Sequence, residues 1–265
     1  MIKLEHVILA SPEQMEFIIE GMRNPMNSWE KSDSFGCDSC KNSFPGYDIT
    51  MREECGGCCS WNNKYIPKDD TIFIGPNDYS LMQRLANAGT DHRKFMRMMP
   101  VYVRITAPLY WWKEFDTYKV STVSNSCSTM HKIQEKEFTF KDFSHEHLLG
   151  REDEPFMVNI SSDGTKLSPL GLMADVIEML NSCRERYLAA LKTEEETGLP
   201  AKDIWWQMIQ LLPSSYNQTR NVMMNYEVLA NIYKSRKNHK LDEWREFCKW
   251  IESLPYSELI CGKQD

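Results

Sequence analysis

The sequence contains no apolar run approaching the roughly 20 residues needed to cross a bilayer. Its first apolar block, Val7-Ile8-Leu9-Ala10, follows Glu5 and His6 and not a basic leader, so neither export nor membrane anchoring is expected. Positive charge is short as well. Lys and Arg number 31 against 38 Asp and Glu, a net charge of −7. Neutralising a phosphate polymer needs the opposite balance, so nucleic-acid polymers are not expected as partners. A small anion remains compatible with this charge, because it needs only a few local cations. Internal repeats and low-complexity tracts are also missing. What is left is the profile of a cytoplasmic globular protein, whose nine cysteines are expected to be reduced thiols or metal ligands.

The elements predict one domain over residues 1–265, of α+β class and mainly helical, with residues 30–70 as a cysteine-rich insertion. Ser11 can cap a first helix, with Pro12 at its first position and Gln14 as capping-box partner. A helix resumes after Asn77 and should stop at Gly89. Val101, Val103 and Ile105 alternate with Tyr102, Arg104 and Thr106, the pattern of a strand with one buried face. Pro108 ends that strand, and the bulky segment from Leu109 to Phe115 reads as a short buried helix. A polar stretch over residues 116–131 follows. Helices are then expected near residues 169–193, 201–212, 218–236 and 241–253.

Within the insertion, Cys37-x2-Cys40 is followed after fourteen residues by Cys55-x2-Cys58, with Cys59 adjacent. Paired knuckles of this kind supply four thiolates to a tetrahedral Zn²⁺, and such a closed site is structural. Free thiols or a redox pair are the other reading of the same residues. Cys127, Cys183, Cys248 and Cys261 are scattered and read as small buried hydrophobes. Cys127 stands apart, lying among Ser124, Asn125, Ser126, Ser128 and Thr129, which could donate hydrogen bonds to a ligand.

Toward the C-terminus, Asn225 lies twelve residues beyond Leu212-Pro213, Asn231 six further, and Arg236 eleven after Asn225, with His239 and Glu243 trailing. From about Ser80 to Cys248 the chain resembles the flavin-dependent thymidylate synthases, in which the leucine-proline, two asparagines and arginine recur at these separations, the trailing His stands one residue out of step, and the arginine reaches the nucleotide. On a continuous helix, Asn225 and Arg236 fall within about 20° of one another and could line one groove. The plainer account makes Arg236 part of a charge run, with Lys234 and Lys237, at a helix end that favours cations.

Ala107-Pro108-Leu109-Tyr110 is similar to the segment leading into that family's signature, R-H-R-x-x-S-x-N-E-x-S-x-R-Y. The signature itself departs. Counting from the proline sets Thr117-Tyr118-Lys119 on R-H-R and Thr122, Ser124, Asn125, Cys127 and Thr129 on the S, N, E, S and R. A one-residue shift sets Asn125 on N and Ser128 on the second S. Only Lys119 keeps a positive charge, and a further family arginine is Ile209 here. Tyr110, Trp111, Trp112, Phe115 and Tyr118 could stack on a flat ring, although aromatics so spaced are more often core. The wording of residues 22–27, 111–119 and 236–248 is similar to a divergent, phage-type branch.

The resemblance implies FAD, held by Asn225, Asn231 and Lys119. It implies a dUMP-like pyrimidine nucleotide held by Arg236, Glu114, Ser124, Asn125 and Cys127, a folate one-carbon donor, and a homotetramer. Catalytic residues stay unassigned. The competing expectation is a non-catalytic protein that keeps the fold and binds a nucleotide or a partner. A zinc-ribbon nucleic-acid binder is the weakest reading, since the insertion has few basic residues besides Lys41 and Arg52.

Elemental analysis of protein purified without chelator is expected to give about one zinc per chain, and a content below about a tenth of that removes the metal. A closed site also predicts that Cys37→Ser lowers stability more than ligand affinity.

Overall fold

The computed structural model describes residues 2–36, 72–150, 157–159, 166–193 and 198–262. Cys37, Cys40, Cys55, Cys58 and Cys59, and with them the zinc expectation, lie outside the described residues.

Strand β1 (Lys3–Leu9) leads into α1 (Pro12–Arg23). The capping box forms as expected: Gln14 N donates to Ser11 Oγ at 3.3 Å, and Ser11 N donates to Gln14 Oε1 at 2.9 Å. The helix buries Met15, Ile18, Ile19 and Met22. Short strands β2 (Phe35–Gly36) and β3 (Ile72–Phe73) pair antiparallel, and α2 (Pro76–Asn87) follows. Just past α2, Gly89 has φ 101°, a conformation that asks for glycine. The alternating segment is β4 (Pro100–Pro108), with Val101, Val103, Ile105 and Ala107 buried and Tyr102 and Arg104 exposed.

After it come α3 (Leu109–Phe115), β5 (Val123–Ser126), α4 (Thr129–Lys132), and the small pair β6 (Val158–Asn159) and β7 (Lys166–Leu167). Then follow α5 (Pro169–Ala190), α6 (Ala201–Leu211), β8 (Asn217–Asn225), α7 (Tyr226–Arg236), α8 (Asp242–Glu252) and α9 (Glu258–Cys261). The main sheet has the order β1-β4-β8-β5, so the class is α+β and mainly helical.

One expected helix is corrected. Residues 218–225 are strand, and helix begins only at Tyr226. Val222 and Met224 are buried at period two, and β8 is an interior strand whose amides bond its neighbours. Strands β1 and β5 were not expected at all, because neither buries a face that would impose alternation.

The chain divides into two compact units. One comprises Met1–Lys3, Ile105–Thr117 and Asn125–Arg220. Its core joins Ile133, Phe138 and Phe143 to Met173, Ile177 and Leu180 of α5 and Met208 of α6. Helix α3 starts here just after Pro108, and its first amides, which have no partner within the helix, find carbonyls elsewhere. Leu109 N donates to Tyr216 O and Tyr110 N to Ser214 O, both at 3.0 Å. Trp111, Trp112 and Phe115 are fully buried and pack on one another, with Trp111 and Phe115 stacked at 5.0 Å. They are core, as such spacing usually is.

The other unit comprises Leu4–Arg104, Tyr118–Ser124 and Asn221–Asp265. Around α1 and α2 it is organised on the buried carboxylate of Asp78. Arg23 Nε donates to Oδ1 at 2.5 Å, and Oδ2 accepts from Ser32 Oγ, Ser34 Oγ and the amides of Asp33 and Ser34. In return the Asp33 carboxylate caps α2, accepting from Asn77 N at 2.9 Å and Asp78 N at 3.1 Å. A Cβ on Gly75 would lie 2.2 Å from Asp33 Oδ1, so no other residue fits there without displacing the cap.

Burial alone would raise the Asp78 pKa, but hydrogen bonds from Ser34, Ser32, Arg23 and the Asp33 amide outweigh it and hold the carboxyl below its ordinary 3.8. The unfolded chain therefore takes up this proton first. Stability from Asp78 is fully present above about pH 4 and is lost as pH falls through the lower folded value. Urea denaturation of Asp78→Asn is expected to show a loss of about 3–5 kcal/mol at neutral pH, because Arg23 keeps a buried charge without its counter-ion. The stability of the variant should fall less steeply than that of the wild type below about pH 4.

Candidate functional site

In the second unit, α7 ends on Arg236, whose side chain lies against Tyr118 and Trp244. Its Nε donates to Tyr118 Oη at 2.9 Å. The guanidinium carbon lies 4.7 Å from the Trp244 ring centroid and 5.7 Å from that of Tyr118. Trp244 is fully buried on α8, meets Tyr118 edge-on at 6.0 Å, and is itself met by the His239 ring at 6.3 Å. Lys234 and Lys237 are exposed, whereas Arg236 is half-buried. Lys234 and Arg236 stand in the last turn of α7, as the charge-run account has it, and Arg236 in addition lies against Trp244 and Tyr118.

Asn225 is the N-cap of α7. It is buried, and its Oδ1 accepts from Val228 N at 2.9 Å. It therefore stands at the opposite end of the helix from Arg236, about 16 Å away at 1.5 Å per residue, so the angular match does not bring the two side chains together. Asn231 is exposed and accepts from Arg93 Nη2 at 3.2 Å. Arg93 Nε lies 2.8 Å from Glu227 Oε2, one turn back on α7. Neither atom makes an aligned hydrogen bond, so the contact is ionic. Both asparagines commit their oxygens to the protein, while their Nδ2 groups have no acceptor among the described residues. Such donors fit the carbonyl acceptors of a flavin ring. Lys119 and Ser124 are exposed, and the Lys119 carbonyl accepts from Thr122 N at 3.4 Å across a turn with Ser121 at φ 60°.

In the first unit, Asn125 and Cys127 are exposed at β5, and Cys127 N donates to Thr219 O at 2.9 Å. Glu114 is half-buried, and its carbonyl accepts from the amide and hydroxyl of Thr117. Gln218 Nε2 donates to Thr129 Oγ1 at 3.0 Å and to the Cys127 carbonyl at 3.3 Å. Gln218 Oε1 accepts from Arg220 Nε at 2.9 Å. Arg220 lies 4.2 Å above the Trp112 ring and pairs with Asp116 at 2.7 Å. Sequence reasoning passed over Arg220 because the segment was read as helix. Its signal is parity: Arg220 sits in step with buried Val222 and Met224, and a cation at an inward strand position needs partners.

The polar run over residues 116–129 thus meets β8 in one unit, through Asp116, Cys127 and Thr129, and meets α7 in the other, through Tyr118. Burial pushes the Cys248 thiol up to about 12 and that of Cys261 up to about 11, and it also raises Cys183. All three stay protonated at neutral pH, as small hydrophobes do. Among the described residues no group of three His, Cys, Asp or Glu side chains could hold a metal.

No protein-family model matches the sequence, and no curated protein matches it. Solved structures do. The flavin-dependent thymidylate synthase ThyX from Helicobacter pylori, complexed with FAD and dUMP, aligns with TM-score 0.53 and 15% identity, covering 98% of this chain and 96% of that one. A second structure of that protein with the same ligands gives 0.52 and 15%, covering 98% and 95%. The UMP/dUMP methylase PolB from Streptomyces cacaoi, bound with 5-Br dUMP, gives 0.50 and 12%, covering 98% and 94%. The chain has the flavin-dependent thymidylate synthase fold.

The cap on α7 carries its own expectation. Asn225→Ala should lower stability by about 0.5–2 kcal/mol, the cost of an N-cap. Asn231→Ala, at an exposed contact, should stay within about 0.5 kcal/mol. Chemical denaturation of both variants checks the ranking, and the reverse order contradicts the cap.

Proposed function

We propose that this protein binds a pyrimidine nucleotide through Arg236 and modifies it with the help of FAD and a folate one-carbon donor. The observation that carries the reading is the seat of Arg236. With Nε on the Tyr118 hydroxyl and the guanidinium plane beside Trp244, the side chain is fixed before any ligand arrives. A preorganised guanidinium binds a phosphate or a pyrimidine carbonyl at a lower cost in side-chain order than a free one. Structures of the same fold with FAD and dUMP bound, or with 5-Br dUMP, support this ligand class.

Asn225, Asn231 and Lys119 would hold FAD, whose contribution when bound is hydride transfer. Glu114, Ser124, Asn125 and Cys127 are the further residues that the resemblance assigns to the nucleotide. Assembly as a homotetramer belongs to the same reading, as does a structural zinc on Cys37, Cys40, Cys55 and Cys58.

A second reading, nucleotide or partner binding without chemistry, is favoured by one observation. The signature positions carry Thr117, Tyr118 and Lys119, and Tyr118 is engaged in seating Arg236. Two arginines fewer means the loss of charge-assisted hydrogen bonds worth about 1.5–3 kcal/mol each.

Calorimetric titration with dUMP in the presence of FAD should show Arg236→Lys binding more weakly by about 1.5–3 kcal/mol, with the fold intact by circular dichroism. Equal binding by wild type and variant makes the arginine scaffold. Wild type that binds dUMP and FAD but turns over no nucleotide supports the second reading.

A further inference from the structure

We propose that Arg220 is a second anion-binding arginine, and that Asp116 is a placeholder carboxylate which a phosphate group displaces. The inference deepens the nucleotide reading and depends on it only for which molecule carries the phosphate.

Three features set Arg220 apart from an ordinary surface ion pair. The first is that its orientation does not depend on Asp116. The guanidinium lies on Trp112, which is itself anchored by its indole Nε1 donating to Gln218 O at 2.9 Å. Nε is held by Gln218 Oε1, and the Gln218 amide is held in turn by Thr129 and the Cys127 carbonyl. Removing Asp116 leaves this frame standing.

The second feature is asymmetric burial. The Arg220 side chain is 14% exposed, whereas Asp116 is 50% exposed. An ion pair with one half-solvated partner is weak and readily exchanged, yet a largely buried guanidinium cannot be left without an anion. Asp116 meets that need until a stronger anion arrives.

The third feature is unused donor capacity. Asp116 engages Nη1 alone, and Nη2 has no acceptor among the described residues. A phosphate can engage both terminal nitrogens as a fork. Nothing covalent is involved; one oxyanion replaces another. The phosphate could be the monoester of a nucleotide or the diphosphate of FAD.

The test is calorimetric titration of the full chain with inorganic phosphate, dUMP and FAD separately, on wild type, Asp116→Asn and Arg220→Lys, with thermal melting of each. Asp116→Asn is expected to tighten the phosphate-bearing ligand about two- to fivefold, the release of a weak ion pair. Arg220→Lys is expected to weaken the same ligand about tenfold or more, since lysine keeps the charge but loses the fork. A shift seen with dUMP alone assigns the monoester, and a shift seen with FAD alone assigns the diphosphate. Unchanged or weaker binding by Asp116→Asn with all three ligands overturns the proposal and makes the pair scaffold. Should Arg220→Lys fail to fold, the direction of the Asp116→Asn effect decides by itself. If Arg236→Lys weakens dUMP while neither of these variants moves any ligand, the nucleotide reading stands and this one fails. If these variants move phosphate or FAD while dUMP does not bind, the outcome is the reverse.

Discussion

Much of the second unit answers to a single demand, that the ionised carboxylate of Asp78 be satisfied away from water. Five donors meet it: one from Arg23, two hydroxyls and two amides from residues 32–34. An uncompensated charge there would be prohibitive, so α1, the chain before β2 and the start of α2 must converge on one point. The same point closes the chain around residues 37–71, because Ser34 Oγ also accepts from Gly75 N at 3.0 Å. Joining two stretches of chain that are distant in sequence costs entropy that grows only slowly with their separation.

The two arginines, one in each unit, share a different feature: each guanidinium lies against an aromatic face. Arg236 rests between Tyr118 and Trp244, and Arg220 on Trp112. An aromatic face stabilises a guanidinium without consuming its hydrogen-bond donors. A carboxylate stabilises it too, as Asp116 does for Arg220, but occupies a donor at the guanidinium edge.

Local chemistry was the legible part of the sequence. The capping box at Ser11, the alternation through β4 and the aromatic block of α3 are each specified by residues within a few positions of one another, and each formed as expected. The failures lie where the determinant is remote. Strand β8 was read as helix because its amides are satisfied by neighbours distant in sequence, as Thr106 and Thr219 illustrate with hydroxyls 2.7 Å apart across β4 and β8. At the site, the spacing from Pro213 singled out Arg236, but its clamp joins positions 118 residues apart. Asn225 was singled out by that same spacing, and the structure shows it capping α7.

The stacking of Arg220 on Trp112 has an optical consequence. A positive charge 4.2 Å from an indole imposes a strong local field on its excited state. Trp112 is also shielded from water, so that charge and the bond to the Gln218 carbonyl are polar contacts in surroundings otherwise lined by Trp111 and Phe115. A shift of the guanidinium is therefore expected to change the emission of Trp112, one of the eight tryptophans in the chain.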